Sequence, residues 1–259
     1  LFMDLQKLLY EENEKPLDRI VTDGGYTRIF RTIGCIGDSL SSGEHESRDE
    51  NGNAGYHDFY EYSWGQYMAR NAGLKVFNFS CGGMTAKKYI ESYGDKCGCW
   101  ATDRLCQAYI LALGVNDLYT KEVELGSISD VDTENPENSK PTFAGYYGRI
   151  ISKLQMLTPD SKFFLVTLPR VSNLDVEGHA ALLRKFPERF KNTYVIDLAQ
   201  YGPDYDGEFK KKFFVGGHMN AAGYILSAQM ITSYIDYTVR HNFEDFSQVG
   251  FIGTPYKYL

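Results

Sequence analysis

Ile33-Gly34-Cys35-Ile36-Gly37-Asp38-Ser39-Leu40 decides how the rest of the chain is read. A short apolar run enters a glycine turn, and the polar stretch 41–63 that follows cannot extend it, so a strand ends with a hydroxyl at its carboxyl end. Working outward, runs rich in β-branched or aromatic residues recur at 32–36, 75–79, 109–113, 163–167 and 194–196. Between them, 64–71, 86–93, 143–157 and 176–190 have helical spacing, as does 220–237 after the last run; Pro159 stops the third of these helices. Strand alternating with helix predicts a parallel sheet covered on both faces, in which ligands bind beyond the carboxyl ends of the strands. Ser39, Gly83 and Asn116 all fall just past such ends.

The chain of 259 residues, 43% hydrophobic, can bury the core of one domain. We expect residues 1–30 as an N-terminal extension packed on it, 31–240 as the domain itself, and the aromatic tail 241–259 packed on the domain or on a partner subunit. The 34 acidic residues outnumber 27 basic ones for a net charge of −7, and no cation cluster exceeds Lys210-Lys211-Lys212. A nucleic-acid partner is therefore not expected, because affinity for a phosphate backbone rests on clustered cations. Apolar runs such as 110–113 and 163–168 are far shorter than the roughly 18–20 residues needed to span a bilayer, so no membrane crossing is expected. Residues 1–7 carry acid and polar groups where a signal peptide needs a basic start and an apolar run, which favours a cytoplasmic chain; secretion is the alternative if a leader has been trimmed. Five cysteines are an odd count. Reduced thiols are the simplest reading, a disulfide among Cys97, Cys99 and Cys106 the alternative. With no histidine near them in sequence, no zinc, other metal or cofactor is expected.

Three further blocks follow the first in order: Asn78-Phe79-Ser80-Cys81-Gly82-Gly83-Met84-Thr85, Gly114-Val115-Asn116-Asp117 and Gly217-His218-Met219-Asn220. Taken singly, the four blocks have ordinary structural explanations: a helix-capping serine, a tight glycine turn, an Asx turn, and a structural or solvent-exposed histidine. Together they supply a nucleophile, oxyanion donors and a base. The set resembles the SGNH hydrolase family, also called GDSL esterases and lipases, over roughly residues 33–237. Gly37-Asp38-Ser39-Leu40 matches the first block letter for letter, Gly83 the second block's glycine, Asn116 the third and His218 the last. The resemblance implies a single-domain, flavodoxin-like three-layer α/β/α sandwich on a five-stranded parallel sheet. It also implies Ser39 as nucleophile, His218 as base, and an oxyanion hole from Ser39, Gly83 and Asn116.

A serine hydroxyl needs a base to take its proton as it attacks a carbonyl, and donors already aimed at the resulting oxyanion lower the barrier. Gly83 offers an unobstructed backbone N–H, and Asn116 a side-chain N–H. Asp38 and Asp117 are expected to brace their turns. One position departs from the family pattern: the usual Asp three residues before the histidine is Val215. The expectation is that His218 Nδ1 bonds a main-chain carbonyl near Val215, giving a dyad; a carboxylate from Asp197, Asp204 or Asp206 is the alternative.

Two long connections decorate the rim. Residues 41–63 are mixed polar and aromatic, with His57 and Tyr56 as substrate contacts, and 121–141 are acidic. Aromatic faces stack on sugars, so acetylated carbohydrate is the favoured substrate class for a serine esterase acting on short acyl esters. The alternatives are a lipase or thioesterase acting on longer chains and a non-catalytic glycan-binding module. The sequence leaves the oligomeric state open.

Overall fold

A computed structural model describes residues 5–258. Its strands are β1 (Thr32–Gly37), β2 (Glu44–Arg48), β3 (Ala54–Asp58), β4 (Lys75–Asn78), β5 (Ala108–Ala112), β6 (Lys162–Val166), β7 (Thr193–Ile196), β8 (Phe214–Val215) and β9 (His218–Met219). Five of them form one parallel sheet in the order β4-β1-β5-β6-β7. This is the flavodoxin-like order, and it reverses direction between β1 and β5. Gly37 pairs with Ala112 at the end of that register, so the chain segments carrying Ser39 and Asn116 leave the sheet side by side at the switch point.

Alternation along each strand divides the core between the two faces. Ile33, Cys35, Ile110, Phe164 and Val166 pack with Trp64, Met68, Tyr224, Ile231 and Ile235 from the helices Trp64–Ala72 and Ala221–His241. Ile36, Tyr109, Leu111, Phe163 and Leu165 pack on the other face with Tyr147, Ile150, Leu154 and Leu183 from Phe143–Leu157 and Val176–Leu183. The three expected layers are present. Two helix boundaries differ from expectation. The segment predicted over 86–93 passes through a π-helical stretch at Tyr89–Tyr93 and continues to Lys96. The one predicted over 176–190 ends at Leu183 and resumes as a 3-10 turn at Phe186–Glu188, because Pro187 cannot donate to a helical ladder.

Both ends of the described chain pack on the sheet's helical cover or its lower edge. Val21 N donates to Ser233 Oγ, and the buried Arg240 bonds both Glu14 and Asp236. Phe246 stacks among Phe164 and Tyr194, and Gln107 Nε2 donates to the Val249 carbonyl. All five cysteines are unpaired. No helix among the described residues is long and apolar enough to cross a membrane.

The connection 41–63 is not irregular. β2 and β3 form an antiparallel ribbon paired from Glu44 with Asp58 to Arg48 with Ala54, turning through Asp49-Glu50-Asn51-Gly52, where Gly52 N donates to the Asp49 carbonyl. A second, shorter hairpin joins β8 to β9 through Gly216-Gly217.

Candidate active site

The Ser39 side of the site is built on the sheet. After β1, Asp38 caps the short helix Ser39–Ser42 by accepting from Leu40 N at 3.0 Å, so the capping role belongs to Asp38 and leaves the Ser39 hydroxyl uncommitted. Asp38 is buried, and that burial pushes its carboxyl up to about 7. The next turn lies alongside: Cys81 N donates to the Gly37 carbonyl, and Ser80 Oγ to that of Cys35. Gly83 has φ +68, a left-handed conformation that disfavours side chains, and a Cβ there would meet nothing within 4 Å. Its N–H donates to no other described residue.

The third block braces this turn. Asn116 Nδ2 donates to the Met84 carbonyl at 3.1 Å, which uses one of its two N–H bonds and leaves the other for a ligand. Both oxygens of buried Asp117 accept from Ala86 N, at 3.1 and 3.3 Å. Burial pushes the Asp117 carboxyl up to about 6. The expectation that Asp38 and Asp117 hold turns matches these bonds.

The His218 side is built differently. His218 opens β9, outside the main sheet. Its Nε2 lies 2.9 Å from Glu44 Oε1, and its Nδ1 is 3.5 Å from Glu46 Oε2 with no hydrogen-bond partner. Glu46 accepts from Gly217 N at 2.7 Å and from Arg48 Nη2 at 2.6 Å. The Gly217 amide above all holds the Glu46 carboxyl below its usual range, whereas burial raises that of Glu44. Glu44 also reaches the glycine block: a Cβ on Gly82 would come within 2.3 Å of Glu44 Oε2. Among the described residues, no hydrogen bond joins Ser39 to His218 directly. Their elements are tied through Tyr224, whose hydroxyl donates to the Glu44 carbonyl at 2.6 Å and stands 3.5 Å from that of Ser39.

These contacts overturn the expected partner of Nδ1. No main-chain carbonyl near Val215 meets it. Val215 pairs with His218 across the hairpin and is 55% exposed, and the group facing Nδ1 is a carboxylate from β2. The three aspartates weighed as alternatives are engaged elsewhere. Asp197 is paired with Arg184 at 2.6 Å, Asp204 with Arg170, and Asp206 caps the helix Gly207–Phe213.

The ribbon's alternation separates the two anticipated substrate contacts. Tyr56 sits opposite Glu46 and turns its ring edge-on to His218, 5.5 Å between centroids. His57 lies on the other face, bonded to Ser47 Oγ and stacked on Phe59. His179 is a core residue, its Nε2 bonded to the Leu113 carbonyl, and burial pushes it down to about 4.

A cavity of about 70 Å³ lies against the short helix Ser39–Ser42, lined by Asp38, Leu40, Ser41, Ala112, Val115 and Met219 among others but not by Ser39 itself. A larger one, about 400 Å³, lies at the opposite end of the sheet against the C-terminal tail and touches none of the four blocks.

A profile of the GDSL-like lipase/acylhydrolase family matches residues 35–226. No curated protein matches the chain's sequence. Solved structures that share the fold include three from other proteins. One is a family two carbohydrate esterase from Clostridium thermocellum in complex with cellohexaose, at TM-score 0.55 and 16% identity over 83% of this chain and 65% of that one. Another is the acetyl xylan esterase AlAXEase, at 0.54 and 17% over 79% and 99%. The third, described as a possible lipase from Chitinophaga pinensis, has 0.53 and 17% over 85% and 98%. At these identities the likeness is one of fold.

Proposed function

The chain belongs to the GDSL-like lipase/acylhydrolase family, and from that premise we propose that it is a serine esterase removing short acyl groups, acetyl foremost, from carbohydrate through an acyl-enzyme. The observation that carries this reading is the convergence of three braced turns at the β1/β5 switch point, with the imidazole of His218 on β9 linked to them through Glu44, which reaches Gly82.

In the first step Ser39 Oγ attacks the ester carbonyl and passes its proton to His218 Nε2. The Ser39 and Gly83 amides and the free N–H of Asn116 receive the oxyanion; they need no rearrangement as charge develops. The imidazole returns the proton to the departing alkoxide as the C–O bond breaks, leaving acyl-Ser39 and a free alcohol. Water, deprotonated by the same nitrogen, then releases the carboxylic acid. Glu44 must yield its contact with Nε2 for the cycle to begin.

The acyl-length preference draws on the cavity that Asp38, Leu40 and Ser41 line next to Ser39 in the chain. At about 70 Å³ it suits an acetyl group and not a long chain, since pockets for larger ligands run to roughly 300–1,000 Å³. The carbohydrate assignment draws on exposed Tyr56, whose ring stands edge-on to His218, and the fold shared with carbohydrate esterases supports it. The test is hydrolysis of p-nitrophenyl acetate and of acetylated xylo-oligosaccharide. Wild type should act on both and prefer acetate to palmitate esters. Ser39→Ala should lower kcat by at least about a thousandfold at unchanged thermal stability. Comparable activity in pure Ser39→Ala would overturn the reading.

A further inference from the structure

The family's usual acid position holds Val215, yet the buried Nδ1 of His218 is not left among apolar groups. It faces Glu46 Oε2 at 3.5 Å, and no other acceptor reaches it. A shift of a few tenths of an ångström would bring the pair to bonding distance. Three features aim this carboxylate. Its side chain is 5% exposed, so it has little freedom to turn toward water. The Gly217 amide, one residue before His218, donates to the same oxygen that faces Nδ1, and Arg48 anchors the other oxygen. Gly216, at φ +66, leaves the carboxylate its space, since a Cβ there would lie 2.3–2.4 Å from its atoms. Alternation along β2 puts Glu44, Glu46 and Arg48 on one face, the face that β9 meets.

We propose that Glu46 is the positioning residue for His218, a carboxylate delivered from the inserted ribbon in place of the acid missing at Val215. The inference rests on the reading of Ser39 and His218 as nucleophile and base. Glu46 selects the tautomer with the proton on Nδ1, leaves Nε2 free for Ser39, and stabilises the imidazolium that forms during attack. Glu44, at Nε2, cannot do this: it occupies the side from which Ser39 must be served. The other charged groups near the imidazole are Glu44 and Arg48 from β2 and, past Glu44, Asp58 from β3.

The test compares wild type, Ser39→Ala, Glu46→Gln and Glu44→Gln with p-nitrophenyl acetate across pH. Glutamine keeps an oxygen for the Gly217 amide, so the hairpin contact survives while the charge is lost. Glu46→Gln should lower kcat by at least about a hundredfold, with KM within about threefold. The acid limb of its kcat/KM profile should move to lower pH, because the anion favouring imidazolium is gone. Activity within about threefold of wild type, loss of activity with an unmoved acid limb, or a collapse confined to Glu44→Gln overturns the proposal. If Glu46→Gln fails to fold, Glu46→Asp and Glu46→Ala replace it. An active Glu46→Asp beside a folded but inactive Glu46→Ala supports the proposal, and failure of all three to fold overturns it by assigning Glu46 to the scaffold. Absence of Ser39-dependent hydrolysis in wild type defeats the functional reading itself, and so is distinguishable from failure of this inference.

Discussion

The two halves of the site are held by different forces. Ser39, Gly83 and Asn116 stand on turns anchored to the ends of sheet strands, and their braces are backbone bonds and buried side chains: Asp38 to Leu40 N, Asp117 to Ala86 N, Asn116 to Met84 O. His218 stands on a two-residue strand of a separate hairpin, steadied by charged side chains from a ribbon that itself lies outside the sheet. In the proposed mechanism the sheet half meets charge that appears only in the transition state, which is how oxyanion donors are most effective. The hairpin half places the imidazole between two glutamates, Glu44 at Nε2 and Glu46 at Nδ1.

The contrast can be broken at the sheet half first. Asn116→Ala removes one donor and a brace; losing a single oxyanion donor costs about a hundred to a thousandfold in kcat. Steady-state kinetics on acetate esters should show that fall with little change in KM. A variant that loses thermal stability but keeps its turnover would make Asn116 a turn residue only, and the sheet half would lose a donor.

A smaller effect sharpens the other side of the comparison. Asp38 and Asp117 are raised by burial to about 7 and about 6 from 3.8. Between pH 4 and 7 the folded chain therefore binds protons that the unfolded chain has released, and these groups make stability fall as pH rises through that window. Asp38→Asn keeps an oxygen for the Leu40 amide but cannot ionise. Its Tm should gain on wild type as pH rises from 4 to 7, by about 2–4 °C for each kcal/mol recovered in a chain of this size. Parallel Tm curves for the two proteins would show that Asp38 is not neutral in the fold.

The same division governs what the sequence reveals. The central strands are legible to within about a residue because each buries alternate side chains on both faces, which forces continuous apolar runs. Ser39, Gly83 and Asn116 follow those runs within a few residues, so the order of their blocks along the chain can be matched to the family pattern. Glu46 meets the backbone beside His218 across 171 residues of sequence, and nothing near the histidine says which of the chain's 34 acidic residues will arrive there. A signal did exist. Glu44-x-Glu46-x-Arg48 alternates with period 2, and Asn51-Gly52 is a hairpin turn sequence; a ribbon could have been read there in place of a loop. Its polar composition hides it, because β-propensity is weakest where neither face enters the core. His57 shows the cost: without the ribbon's alternation it looks equivalent to Tyr56, and the fold turns it away from His218.

The central claim is that Ser39 is a nucleophile activated within this site. The most direct measurement is the intact mass of the wild-type chain after incubation with a fluorophosphonate, followed by peptide mapping, with Ser39→Ala treated in parallel. The account predicts a single phosphonyl adduct on Ser39 and none on the variant. An unmodified wild type, or equal labelling of Ser39→Ala, would contradict it.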